Sequence, residues 1–242
     1  MIRVAAVGDL HFGTDSSNTL RPHLERLHEN ADVFLLAGDL TRQGDPAEGD
    51  ILAKELRGLP VPTFAVLGNH DYHLDREQEI TGLLGEAGVK VLEGEGAVVE
   101  VNGSRVGIAG SKGFGGGFAG ASGSDFGEPE MKLFIRVTQD AAERLEKALA
   151  DLQADVRVAL LHYAPVKETL VGEPPEIYPF LGSYLLAEAI DRAGADLVLH
   201  GHAHRGVEKG STPGGIHVRN VAVPVIQRTY NVYELGNDIT EP

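Results

Sequence analysis

The sequence predicts an α/β fold with a mixed sheet, and three observations carry that reading. Short apolar runs alternate with amphipathic helical stretches through the early half of the chain, the pattern of βα units. Five of the apolar runs end abruptly in Asp, Asn or His. Later, Asn102-Gly103 sits between two segments of alternating Val and Ile, the strongest short hairpin signal.

In chain order, the first run, residues 2–7, ends in Gly8-Asp9 and reads as a buried parallel strand. Residues 18–29 follow as a helix with Leu20, Leu24 and Leu27 on one face. The second strand, 33–37, ends in Gly38-Asp39, and the helix at 47–57 carries Ile51, Leu52 and Leu56. The third, 61–67, ends in Gly68-Asn69-His70-Asp71, ahead of a helix at 75–86. Strands flanking Asn102-Gly103 form the predicted hairpin. The strongest helical stripe lies at 140–152, and Asp140 with Glu143 reads as a capping box at its start. A strand at 156–161 ends in His162, a helix at 183–192 stops at Gly194, and a strand at 197–199 ends in His200-Gly201-His202. Residues 215–235 read as further strands. Residues 110–127, rich in Gly and Ser, and 165–182, with four prolines, read as loops, either surface segments or substrate-facing lids. No linker divides the chain, so one domain over 1–242 is expected.

Composition narrows the function. The chain has 242 residues, 42% hydrophobic and 24% charged, which fits a folded globular protein. It has no cysteine, which excludes disulfides, thiolate metal sites and a Cys nucleophile. Any metal must be held by His, Asp, Glu, Asn or water. With 21 basic and 36 acidic residues the net charge is −15, which opposes binding to duplex nucleic acid. No apolar run is long enough to span a membrane and the N-terminus lacks a signal-peptide layout, so a soluble cytoplasmic protein is expected.

The polar strand ends carry the chemistry. Asp9, His11, Asp39, Asn69, His70, Asp71, His162, His202 and His204 all fall at or just beyond the ends of strands, where ligands bind in open α/β sheets. Singly, each is as readily turn chemistry or an ordinary histidine. Together they supply oxygen and imidazole donors without thiolate, a set suited to Mn²⁺, Zn²⁺ or Fe²⁺. The i, i+2 spacing of Asp9 and His11 lets both bend toward one ion, and the same spacing lets His202 and His204 face different ions.

The blocks Asp9-Leu-His11, Gly38-Asp39-Leu-Thr-Arg42, Gly68-Asn69-His70-Asp71, His162 and Gly201-His202-Ala-His204 resemble, intact and in order, those of the calcineurin-like metallophosphoesterases. The resemblance implies a four-layer α/β/β/α sandwich with mixed central sheets and two divalent ions, Mn, Fe or Zn. It places Asp9, His11, Asp39 and His204 on one ion, and Asp39, Asn69, His162 and His202 on the other. Asp39 and a hydroxide would bridge, and the hydroxide would attack phosphorus in line. His70 is implied as a proton donor to the leaving group rather than a ligand, with Asp71 its expected orienting partner. Arg42 either contacts phosphate or supports its loop by pairing with a carboxylate. Phe114 and Phe118 are expected to contact substrate from the Gly-rich segment, and His200 to lie behind the ligands.

The expected function is hydrolysis of a small phosphomonoester or phosphodiester. Two alternatives compete with it. A DNA-repair nuclease would need an added DNA-binding domain and tolerates the acidic surface poorly. A non-catalytic scaffold would have lost ligands, and here every ligand position is filled.

Overall fold

The computed structural model describes residues 1–236. In chain order its strands are β1 (Ile2–Val7), β2 (Val33–Ala37), β3 (Thr63–Val66), β4 (Val89–Val91), β5 (Glu95–Val101), β6 (Ser104–Ser111), β7 (Gly117–Phe118), β8 (Ala121–Ser122), β9 (Val156–Leu161), β10 (Leu197–His200), β11 (Lys209–Ser211), β12 (His217–Asn220) and β13 (Asn231–Leu235). The helices are α1 (Arg21–Leu24), α2 (Leu27–Asn30), α3 (Pro46–Leu56), α4 (Glu77–Glu86), α5 (Pro129–Ala150), α6 (Tyr178–Leu181), α7 (Tyr184–Ala193) and α8 (Val223–Ile226).

Two large sheets form. One has the order β13-β1-β2-β3-β4, the other β11-β12-β10-β9-β6-β5. Neighbours within β1 to β4 are parallel, and β13 closes that sheet antiparallel to β1. In the second sheet β6, β9, β10 and β12 run parallel, flanked by antiparallel β5 and β11. Both sheets are therefore mixed, with parallel centres.

Side-chain alternation decides how the layers stack. In β2, Val33, Leu35 and Ala37 face the inner core, while Phe34 and Leu36 face the outer one. In β9, Val158 and Leu160 meet that inner core, and Ala159 and Leu161 point the other way. Helices cover both outer faces: Leu24, Leu52, Ile80 and Leu84 lie on the first sheet, Leu145, Leu149, Leu186 and Ile190 on the second. Each central strand is buried on both sides, which is why it reads as an unbroken apolar run. The result is the α/β/β/α sandwich. None of the helices among the described residues is long and apolar enough to cross a membrane.

Several elements differ from the sequence expectation. The helix expected at 18–29 is two short ones, broken at Arg26 (φ −107°). The buried Glu55 carboxylate, not a side-chain cap, takes the amides of Asn18, Leu20 and Arg21 at their start. α5 begins at Pro129, well before the supposed capping box. Asp140 lies inside it and pairs with Arg144 one turn on, at 3.3 Å. An exposed i, i+4 pair and a cap share the same short-range acidic signal, and Pro129 supplies the real start. Val223 opens a short helix with Pro224 in its first turn, where a strand was expected. Asn102 (φ 51°) and Gly103 (φ 77°) do form a two-residue turn, with Val101 opposite Ser104. Ser183 caps α7 through the amide of Leu185.

The two irregular segments are folded against each other. Gly116 and Gly117 donate to the carbonyls of Pro179 and Gly182, at 2.7 and 2.9 Å. Ser183 bridges Gly117, and Ala164 bridges Gly182.

The inner core should dominate stability. Leu160→Ala removes a fully buried side chain between the sheets and is expected to cost about 2–5 kcal/mol. Leu133→Ala, on the exposed face of α5, should change stability by no more than about 0.5 kcal/mol. Chemical denaturation of both variants checks the contrast.

Candidate metal centre

The candidate ligands come from both sheets. β1 ends ahead of Asp9 and His11, β2 ahead of Asp39, and β3 ahead of Asn69 and His70. From the other sheet, β9 ends ahead of His162, and β10 ahead of His202 and His204. The loop after β1 runs along the loop after β2: Asp9 and His11 amides donate to the carbonyls of Gly38 and Asp39, at 2.9 and 3.0 Å. That pairing continues from Phe12 to Leu40 and fixes the two carboxylates relative to each other.

Two groups of donor atoms result. Asp9, His11, Asp39 and His204 bring ligand atoms within 4.8 Å of one another, and so do Asp39, His162 and His202. Asp39 belongs to both. Its Oδ1 lies 3.3 Å from His162 Nε2, and its Oδ2 lies 3.8 Å from His11 Nε2. His204 Nε2 lies 2.8 Å from Asp9 Oδ1 and 3.5 Å from His11 Nε2. Asn69 Oδ1 lies 3.0 Å from His162 Nε2, which adds a fourth donor to the second group. All seven residues expected as ligands are brought together.

The backbone at these residues is unusual. Asp9, His11, Asp39 and His202 all have positive φ, from 45 to 70°. Such conformations are costly for non-glycine residues and persist where surrounding structure enforces them. Two motif glycines are required by close approach. A Cβ on Gly68 would overlap the carboxylate and amide of Asp39, and one on Gly201 would overlap the Asp9 carboxylate.

Ring orientations are set from behind. His162 Nδ1 lies 2.9 Å from the Ala37 carbonyl, and as donor there it leaves Nε2 as a lone pair toward Asp39. His202 Nε2 lies 3.2 Å from the Phe180 carbonyl, which leaves Nδ1 for the cluster. Burial pulls the His162 pKa well below its ordinary value and that of His202 down to about 3. His11 also shifts down, chiefly through burial. These imidazoles are therefore neutral, the form that binds metal. Asp9 is pushed up to about 6, by burial first and then by Asp39, against the hydrogen bond from His204. His204 is raised in turn by that bond.

Other expectations are corrected. Asp71 does not orient His70. It is fully buried and accepts from the amides of Leu40, Thr41 and Gly68 and from the Thr41 hydroxyl. Its acceptor capacity is spent there, tying the loops after β2 and β3 together. The group on His70 Nδ1 is the Arg42 carbonyl, at 2.8 Å. The Arg42 guanidinium pairs with Asp15 at 2.9 Å, the carboxylate contact of the supporting reading, with both side chains exposed. Phe118 is buried in a small cluster with Leu170, Leu181 and Ala203, its ring edge-on to that of Tyr178 at 6.4 Å. Phe114 is half-buried, its ring 5.1 Å from Phe134 and 5.7 Å from Tyr163. His200 is fully buried behind the ligands, bonded to Thr169.

Residues passed over at the sequence level also line the centre. The Tyr163 ring lies 4.4 Å from that of His202, and the Lys112 ammonium 5.4 Å from Tyr163. Tyr163 was legible as the neighbour of His162. Lys112 was legible as a basic residue just past a strand end in an acidic chain.

A family model for calcineurin-like phosphoesterases matches residues 2–206. An uncharacterized metallophosphoesterase of Aquifex aeolicus (strain VF5) is 30% identical over 210 residues, which is 85% of this chain and 64% of that protein. The chain thus spans less than two thirds of that relative's length. Among solved structures, phosphopantetheinyl hydrolase from Mycobacterium tuberculosis superposes with a TM-score of 0.64 at 17% identity, over 93% of this chain and 90% of that one. The protein TT1561 of Thermus thermophilus gives 0.55 at 18%, over 90% and 88%.

Protons compete with a metal for Asp9 and His204. Mn²⁺ affinity should fall as the pH drops, by about tenfold per unit once His204, raised above its ordinary value, takes up a proton, and more steeply below a pH of about 6, where Asp9 takes one up as well. Calorimetric titration with Mn²⁺ across that range checks this, and an affinity unchanged at pH ~5 contradicts it.

Proposed function

The chain belongs to the calcineurin-like phosphoesterase family, and from that premise we propose that it is a dinuclear metal-dependent hydrolase of a small phosphoester. The observation that carries the dinuclear reading is the position of Asp39. Its two oxygens face two separate donor groups, an arrangement in which one carboxylate can serve two cations. The donors are oxygen and neutral imidazole, held by backbone acceptors, which suits Mn²⁺, Fe²⁺ or Zn²⁺. When bound, such ions supply a nucleophilic water at neutral pH and offset charge on the phosphoryl oxygens.

The remaining work falls to the chain's own residues. His70 lies at the mouth of the centre, more exposed than the ligands, with Nε2 3.9 Å from Asp39 Oδ2. Its amide donates to Asp39 Oδ1 at 2.9 Å, so ring and carboxylate are placed by one short segment. Nδ1 donates to the Arg42 carbonyl, which leaves Nε2 on the Asp39 side of the ring; in the imidazolium form, with both nitrogens protonated, Nε2 can give its proton to a leaving oxygen there. Arg42 and Asp15 steady the loop that carries this carbonyl.

Asp39→Asn should abolish activity more completely than His11→Ala, because its loss leaves both ions under-neutralised. Metal stoichiometry and turnover of p-nitrophenyl phosphate test this. A variant that keeps two ions and more than about a tenth of the rate, a loss under roughly 1.4 kcal/mol, refutes the shared-carboxylate role.

His70→Ala should lose more rate on an alkyl phosphate than on a nitrophenyl phosphate, with metals retained. General-acid help is typically about 10²–10⁴-fold and matters most for a poor leaving group. Equal losses on chemistry-limited rates would remove the general-acid role.

A further inference from the structure

Beside the donor cluster lies a cation that the hydrolytic reading leaves unused. Lys112 follows the last residue of β6 and reaches back among three aromatic rings. Its Nζ lies 5.0 Å from the ring centre of Tyr72, 4.9 Å from Phe114 and 5.4 Å from Tyr163. Two of these rings tie it to the centre. Tyr163 packs on His202 and stands edge-on to His162, with ring centres 4.4 and 5.5 Å apart. Tyr72 closes the short turn that begins at His70.

No ion pair among the described residues involves the Lys112 ammonium. Among the described residues its one hydrogen-bond contact is the Gly113 carbonyl, at 3.5 Å. Glu93, the neighbouring carboxylate, is engaged elsewhere. It accepts from the Lys112 backbone amide at 3.2 Å and from the Ser111 hydroxyl at 3.4 Å, and it pairs with Arg144 at 3.6 Å. Burial pulls the Lys112 pKa down, while the fields of Glu93 and Asp39 oppose that. A half-buried ammonium with two N–H groups to spare is costly unless something anionic meets it. Three ring faces make such a site tolerable for a cation without neutralising it.

We infer that Lys112 is a substrate-binding residue that holds a phosphoryl oxygen of a phosphomonoester, and that the phosphomonoester dianion is the substrate class this centre takes. The inference rests on the hydrolase reading above. A monoester carries one more negative charge at its phosphoryl group than a diester does. A cation between aromatic walls attracts that charge far more strongly than one in bulk water. A diester instead presents a second esterified oxygen there, with less charge to offer. Phe114, expected to touch substrate, acts in this arrangement as a wall for Lys112.

The test uses the Mn²⁺-loaded full chain, wild type and Lys112→Gln, with p-nitrophenyl phosphate, bis-p-nitrophenyl phosphate and inorganic phosphate as a competitive inhibitor. Wild type should favour the monoester. Lys112→Gln should lose about ten- to a hundredfold in kcat/KM on the monoester, the worth of one charged hydrogen bond, and much less on the diester. The inhibition constant for phosphate should rise by a similar factor, with metal content unchanged. Lys112→Met substitutes if the glutamine variant fails to fold. Wild-type preference for the diester, or equal losses on both esters with phosphate inhibition unchanged, overturns this inference alone. A wild type that takes up metal and hydrolyses neither ester overturns the hydrolase reading and this inference together.

Discussion

The apolar seam between the two sheets is the contact on which the site depends. Val4, Val33, Leu35 and Phe64 from one sheet meet Val106, Ile108, Val158 and Leu160 from the other, all buried. Burying each such side chain is worth roughly 1.5–3 kcal/mol, so the seam as a whole outweighs any single polar contact at the centre. That seam puts the ends of β1, β2 and β3 opposite those of β9 and β10. Neither sheet holds a complete donor group by itself. Asp39 needs His162 and His202, and Asp9 needs His204.

Within that frame, buried carboxylates do structural work beside the chemical work. Asp71 collects three amides and a hydroxyl from the loops after β2 and β3, so those loops move as one piece. Glu55 does the same for the amides ahead of α1. Both are carboxylates whose acceptor capacity is spent on backbone, which a chain needs where loops pass through buried ground. The left-handed residues Asp9, His11 and His202 are held by other ties, their own amides donating to the Gly38 carbonyl, the Asp39 carbonyl and the Asp9 carboxylate.

Strand ends and their donors were legible in the sequence because each leaves a local mark. A strand buried on both faces shows as a continuous apolar run, and the polar residue that stops it stands out, as at Asp9, Asp39 and His162. The Asn102-Gly103 turn likewise needs only its own two residues. What the sequence hid was settled by contacts between distant segments. Asp71 beside His70 looks like a partner, yet its bonds go to Leu40, Thr41 and Gly68, and Arg42 supplies the carbonyl for His70. Phe118 in a Gly-rich stretch looks mobile, yet Leu170 and Leu181 from a later segment cover it. The start of α5 was misplaced because one acidic pattern serves two local structures.

The wide separation of the donors along the chain bears on how the protein matures. Asp9 and His204 stand 195 residues apart, and His162 reaches back 125 residues to the Ala37 carbonyl. Closing such long intervals carries an entropic cost that the docked sheets repay, so these contacts depend on the sheets having docked. During synthesis the first sheet can form its parallel core while the second is still emerging, with Asp9 and Asp39 already positioned and no imidazole from β9 or β10 to join them. Neither donor group can therefore close in a nascent chain before His202 and His204 have been made, and a closed cluster is a mark of docked sheets rather than the cause of their docking.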